Sequence, residues 1–326
     1  FALSANAELG PPGVLGKHPS QGDFLSLGSR GHEFTSLDAF LTQGVEWAEA
    51  RAGAEWGPAY AAGEVQAFVY RPTSGGRASA LVGALGPSSD RAGRRFPLGV
   101  AMPLTAPPEL LGSPEVLPLV LESCWQATSD FVLSAAAEPN ASLGTRLASL
   151  VPPALELEEA LVSYAEWTRS MPAEELWLLM FGEEQRVDPA VVLALVSAAA
   201  RACGGVEPAK TTLALRLPLG AAGGAAVCFW LDWVRCITRW KTTVPTFFWS
   251  HDGRQGTMML CLGMPPRCTL SELWLPTGGR DEICDIATAP WSLAVPDDEV
   301  APFRGILAAA GRTIAGLLHA GYTLTR

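Results

Sequence analysis

Several short runs in this chain are apolar at nearly every position: Ala67-Phe68-Val69-Tyr70, Ala78 to Leu85, Phe96 to Pro103, Pro245 to Trp249 and Thr257 to Leu262. A strand with one wet face alternates apolar and polar residues. Runs without that alternation need cover on both faces. Helical patterns lie between them, so strands and helices interleave along the chain. Helices packed on both sides of a sheet meet the requirement. The expected fold class is α/β: a three-layer α/β/α sandwich with a mixed sheet and a helical insertion in the middle of the chain. One domain is expected over 1–326, with its core at 13–110 and about 210–276. The helical elaboration is placed at about 110–210 and a C-terminal helix at about 298–320.

Local signals fill in this plan. Phe34, Leu37, Leu41, Val45 and Ala48 recur at helical spacing, and Thr35-Ser36-Leu37-Asp38 offers a hydroxyl cap, so a helix is expected over 36–50. Val14-Leu15 suits a short strand. Pro72 and Gly75-Gly76 separate the first two long apolar runs, and Gly86-Pro87 ends the second. Ser113-Pro114-Glu115 predicts one helix to about Ala136. Further helices are expected over 141–150, 155–181 and from Asp188-Pro189 to about Cys203. Thr211 to Leu217 reads as a strand and 225–240 as a helix, with Val227, Trp230, Leu231, Val234 and Ile237 inward and Arg235, Arg239 and Lys241 on the other face. His251-Asp252-Gly253-Arg254 is a hairpin-like turn. Thr269-Leu270-Ser271-Glu272 offers a capping box, and 299–318 a last amphipathic helix. Phe229-Trp230 and Phe247-Phe248-Trp249 are expected in the core.

Composition removes several functions. Nearly half of the 326 residues are apolar and 17% are charged, which disfavours disorder. A net charge of −10 disfavours nucleic-acid and anionic-membrane binding. The longest uncharged apolar run, Leu217 to Leu231, is shorter than a spanning helix and is broken by Pro218 and glycines, so no direct membrane insertion is expected. Phe1 to Pro12 lacks signal-peptide character and is expected to be a disordered leader. Seven cysteines without a CxxC pair fit a reducing, cytoplasmic setting, with no metal site.

Two dense polar motifs stand out: Gly16-Lys17-His18-Pro19-Ser20-Gln21-Gly22-Asp23-Phe24 and Pro87-Ser88-Ser89-Asp90-Arg91-Ala92-Gly93-Arg94-Arg95-Phe96-Pro97-Leu98. Gly16-Lys17 fails the phosphate-loop spacing, and His18 stands where Ser or Thr would bind magnesium. Ser250-His251-Asp252 has the residues of a hydrolase triad, but consecutive side chains do not converge. No catalytic constellation, metal site or cofactor site is assigned. What remains is a charged loop surface of Lys17, Ser20, Asp23, Ser88, Asp90, Arg91 and Arg94. If the loops meet, it could bind an anionic group or a partner. The competing reading makes these residues struts, with Asp23 capping a turn and Arg94 paired to Asp23 or Asp90.

The motifs read GKxPxxGDF and PSxDxxGRxFPL, on Gly16, Lys17, Pro19, Gly22, Asp23 and Phe24, and on Pro87, Ser88, Asp90, Gly93, Arg94, Phe96, Pro97 and Leu98. Over about residues 13–105 the chain resembles the TagF/ImpM family of bacterial type VI secretion accessory proteins. Leu37 to Leu41 and Trp56-Gly57-Pro58-Ala59-Tyr60 stand where that family has a helix and a Trp/Tyr stretch. Phe248-Trp249-Ser250, Leu262 to Pro266 and Leu270 to Trp274 resemble its closing segment. The middle region is longer than that family's, and the tail after about 280 has no counterpart. The resemblance implies an α/β/α domain and a cytoplasmic, non-enzymatic regulator. It implies post-translational repression of assembly by protein–protein interaction, with a forkhead-associated scaffold protein and other secretion components as partners. The alternative expectation is a small-anion or phosphate-binding domain with weak hydrolase activity.

Overall fold

Among the described residues ten strands form one sheet: β1 (Glu8–Leu9), β2 (Gly13–Gly16), β3 (Leu25–Leu27), β4 (Gln66–Tyr70), β5 (Ser79–Gly86), β6 (Leu98–Thr105), β7 (Ala214–Gly220), β8 (Thr246–Ser250), β9 (Gly256–Cys261) and β10 (Ile283–Asp285). The computed structural model describes residues 7–72, 79–135, 140–182, 187–203, 212–241, 243–250, 256–276, 282–287, 295–309 and 313–324. The strand order is β10-β7-β9-β8-β4-β5-β6-β2-β3, and β1 pairs with β6 beyond β2. β10 and β7 run parallel, while the other strand pairs are antiparallel, so the sheet is mixed. β4 pairs with β8 from Gln66↔Ser250 to Val69↔Phe247, which joins the early strands to the late ones.

The helices are α1 (His32–Ala52), α2 (Trp56–Ala61), α3 (Pro108–Gly112), α4 (Leu117–Val120), α5 (Glu122–Ala135), α6 (Asn140–Ser149), α7 (Leu157–Ser170), α8 (Ala173–Phe181), α9 (Pro189–Ala202), α10 (Gly224–Thr238), α11 (Thr269–Trp274), α12 (Asp297–Ala309) and α13 (Ile314–Leu324). The strands sort their side chains by alternation. Phe68, Tyr70, Leu81, Leu85, Phe248 and Met259 pack with Leu37 and Leu41 of α1, Trp56 and Tyr60 of α2, and Leu270 of α11. Their neighbours Ala67, Val69, Ala80, Val82, Phe247 and Leu260 pack against α4, α5 and α7–α10 on the other face. Two apolar clusters on alternate residues put helices on both faces of the sheet, as the unbroken apolar runs require.

Several boundaries differ from the sequence reading. α1 begins at His32, with Gly31 at φ 99° turning the chain into it. The hydroxyl of Thr35 donates to the Gly31 carbonyl from inside the helix, so the expected cap is not used. The single helix expected from Ser113 is three pieces: a 3₁₀ turn at Pro114–Val116, then α4 and α5. Ser113 makes no side-chain cap bond, and Pro118 lacks the N–H needed for a continuous helix. The helix expected over 155–181 breaks at Met171, which is extended because it precedes Pro172. Thr269 and Glu272 are buried and form no capping box at α11.

The last helix is two, α12 and α13. Thr313 accepts the N–H of Gly316 at the start of α13, and the Ile314 N–H donates to the Met171 carbonyl at the α7–α8 corner. β1, β3 and β10 were not anticipated. Glu8–Leu9 pairs with Thr105 and Leu104 of β6, so that part of the expected leader belongs to the sheet. The turn at His251 to Arg254 lies outside the described residues.

Candidate functional site

Gly16 ends β2 at φ 125°, a conformation that side chains resist. A Cβ there would collide with the Pro97 carbonyl oxygen, so glycine lets the second loop cross the first. The first loop leaves β2 toward β3, and the second joins β5 to β6.

Asp90 organises the crossing. One carboxylate oxygen accepts the backbone N–H groups of Ala92 at 3.0 Å and Arg94 at 2.9 Å. The other accepts Arg94 Nε at 2.6 Å and lies 3.2 Å from Lys17 Nζ. Gly93, at φ 79°, closes the turn with its N–H on the Asp90 carbonyl. The Asp90 side chain is wholly shielded from solvent. Burial acts to raise its pKa. The Arg94 N–H, the Lys17 ammonium and the Arg94 guanidinium together outweigh burial and hold the carboxyl down at about 2.

The two loops are bonded along their length. Ser88 Oγ donates to the Lys17 carbonyl at 2.8 Å. The Arg91 N–H donates to the Gln21 carbonyl at 2.7 Å. Arg94 Nη2 donates to the Gly22 carbonyl at 2.7 Å. Phe24 meets Phe96 edge to face, with centroids 5.2 Å apart.

Two residues that sequence reasoning did not single out complete the frame. His18 is fully buried. Its Nδ1 accepts from the Ser20 N–H at 3.2 Å and contacts the Ser20 hydroxyl at 2.9 Å, so Nε2 carries the proton, donated to the Ala135 carbonyl at 2.8 Å. The Tyr60 hydroxyl bridges the Ser88 carbonyl and N–H at 3.0 and 2.9 Å. Burial pushes the Tyr60 hydroxyl far up, so it stays a neutral donor. The position of His18 inside the first motif was the available signal. Tyr60 had none beyond the Trp-x-x-x-Tyr spacing.

The structure therefore brings Lys17, Ser88, Asp90 and Arg94 together, but mostly as struts bonded to one another and to the backbone, while Ser20 is exposed and bonds to His18. Arg94 pairs with Asp90, not Asp23, and Asp23 is exposed. The outward face of the rim carries Asp23, Phe24, Arg91, Arg94 and Arg95. Phe24 is 43% exposed and the Arg94 side chain 65% exposed despite its ion pair. The guanidinium of Arg95 lies over Gly57 of α2, where any side chain would displace it.

Elsewhere, Ser250 Oγ donates to Glu64 Oε2 at 2.6 Å, and the neighbouring His251 and Asp252 lie outside the described residues. Arg235, expected on a polar helix face, instead enters a buried cluster. It contacts Asp232 at 2.6 Å and Glu115 at 2.9 Å, the latter out of hydrogen-bond alignment. The Tyr164 hydroxyl donates to Asp232 at 2.7 Å. Burial and the Asp232 charge, opposed by Arg235, raise the Glu115 carboxyl to about 7. Among the described residues no group of three or more His, Cys, Asp or Glu is placed to hold a metal ion. No helix there is long and apolar enough to cross a membrane.

Residues 13–150 match the family model described as the TagF N-terminal domain, type VI secretion system-associated. The match contains both loops of the rim, α1 and α2. No curated protein matches the chain. Among solved structures, the chain is similar to the crystal structure of PA0076 from Pseudomonas aeruginosa PAO1, with 21% identity, a TM-score of 0.49, and cover of 87% of this chain and 100% of that one.

Proposed function

We propose, from the match of residues 13–150 to the TagF N-terminal domain, type VI secretion system-associated, that the protein is a cytoplasmic regulator of that system. It acts by protein contact rather than catalysis, as a post-translational repressor of assembly. A forkhead-associated scaffold protein is the first partner to test, with other secretion components after it. The observation that carries this reading is the doubly bonded rim. It holds Phe24, Arg91, Arg94 and Arg95 outward on a frame fixed from within by Asp90. Arginines and aromatics on a rigid support are the residues that dominate protein interfaces. The rim suits a partner better than a free anion, because Lys17 and Arg94 already share the Asp90 carboxylate.

The test is titration of the scaffold protein into wild type, Phe24→Ala and Arg91→Ala. Each variant is expected to weaken binding by about 2 kcal/mol, with secretion derepressed in cells carrying it. Equal affinity of wild type and both variants would remove the rim from the interface. Saturable binding of inorganic phosphate, lost in Arg91→Ala, would instead favour the anion-binding alternative.

A further inference from the structure

A cleft of about 410 Å³ opens in the helical layer, between α4–α5, α7 and the start of α10. Small-molecule sites typically occupy about 300–1,000 Å³. Three rings line it. Tyr164 and Trp167 sit on one face of α7 with centroids 5.8 Å apart, and Trp249 comes from β8. Leu119 and Pro118 supply aliphatic wall, and Glu122, the exposed first residue of α5, sits at the mouth.

The one charged side chain in the lining of this cleft is acidic, Glu122. None of its lining residues is Lys, Arg or His. Behind Tyr164, the Asp232 and Glu115 carboxylates share the guanidinium of Arg235, so that cation is already paired. The start of α10, at Gly224 and Ala225, brings about half a positive charge to the wall, less than the full charge of Glu122. Aromatic faces are electron-rich and attract cations within about 6 Å of the ring centroid.

We propose that this cleft binds a small organic cation with an apolar body, an ammonium or guanidinium group seated against Trp167, Tyr164 and Trp249 with Glu122 as counter-ion. The apolar body lies along Leu119 and Pro118. The site is separate from the rim and does not depend on the function proposed for it. A metabolite-like ammonium and the arginine side chain of a protein partner share this chemistry, and two probes separate them.

Isothermal titration of the full chain with choline tests the first source, and with agmatine, an arginine side-chain mimic, the second. The uncharged carbon analogue 3,3-dimethylbutan-1-ol tests charge. At least one cation is expected to bind about tenfold or more tighter than the alcohol, and Glu122→Gln and Trp167→Ala each to weaken it about tenfold. Leu133→Ala, on an exposed part of α5, is expected to leave affinity unchanged. Circular dichroism establishes that the variants are folded, and Glu122 is exposed enough for its substitution to be tolerated. The proposal is overturned if neither cation binds more tightly than the alcohol, or if folded Glu122→Gln binds like wild type.

Discussion

Asp90 sits among four donors, two from the backbone and two cationic. Its carboxyl is held at about 2, below its ordinary value of 3.8, so the folded state prefers the ionised form. The stability from this preference is present above pH 3.8 and is lost as pH falls through about 2. Asp90→Asn removes that component. The stability gap between wild type and variant, measured by urea unfolding, is expected to be constant above about pH 5 and to narrow toward pH 2. A gap that stays constant to pH 2 would refute the assignment. The glycines give a second test at this scale. Gly16 and Gly93 both have positive φ, but a Cβ on Gly16 meets a carbonyl oxygen while one on Gly93 meets nothing within 4 Å. Gly93→Ala should cost about 1 kcal/mol from backbone strain alone. Gly16→Ala should cost more than about 3 kcal/mol and open the crossing, since backbone strain and collision combine. The sequence picked out these positions by residue type. It could not tell that Asp90 rather than Asp23 receives Arg94, because a turn residue's partner depends on where the other loop crosses.

At the scale of elements, α10 shows what hydrophobic pattern carries and what it omits. Its apolar face and its burial follow from Val227, Trp230, Leu231, Val234 and Ile237, all buried. The pattern also assigned Arg235 to a wet face, because a lone arginine gives no hint of two buried carboxylates contributed by distant residues and its own helix. That cluster ties α10 to the 3₁₀ turn at Pro114–Val116 through Glu115 and to α7 through Tyr164. Its titration has the opposite sign to that of Asp90. Glu115 is raised from 4.5 to about 7, so its contribution is fully present below pH 4.5 and is lost as pH rises through about 7. Glu115→Gln keeps the neutral form at every pH. It is expected to gain stability relative to wild type between pH 5 and 8, and parallel unfolding curves across that range would count against a buried, titrating Glu115. Breaks in the helices followed another rule. Pro118 and Pro172 divide what apolar spacing alone made continuous, since a proline removes a donor and constrains the residue before it. Short edge strands such as β1 and β10 were invisible for a third reason. Two or three residues hold too little alternation to register, and only their pairing partners define them.

At the scale of the molecule, the sheet is closed through its middle by two parts of the chain that lie far apart in sequence. The need for cover on both faces was legible because β4, β5, β6 and β8 are apolar at nearly every position. The joining of β4 to β8 was not, because strand order depends on long-range pairing that local patterns do not encode. This pairing has a consequence for the residues matching the TagF N-terminal domain. Within 13–150, β4 has β5 on one side only. Its other edge, from Gln66 to Val69, is hydrogen-bonded to β8, and Phe68 packs on Phe248 with centroids 6.0 Å apart. Trp125 of α5, also within the match, packs on Phe247 and Trp249 at 6.0 and 5.5 Å. Cutting the chain at 150 would leave a four-residue strand edge unpaired beside buried aromatic surface, the combination most prone to aggregate. The fragment 13–150 expressed alone is therefore expected to be insoluble or to lack cooperative thermal unfolding. Co-expression with 151–326 is expected to restore a folded complex, because β8 brings back both the hydrogen bonds and the apolar cover. Cooperative unfolding of monomeric 13–150 on its own would show that β4 tolerates an open edge, and would confine the structural requirement for β8 to the second half of the sheet.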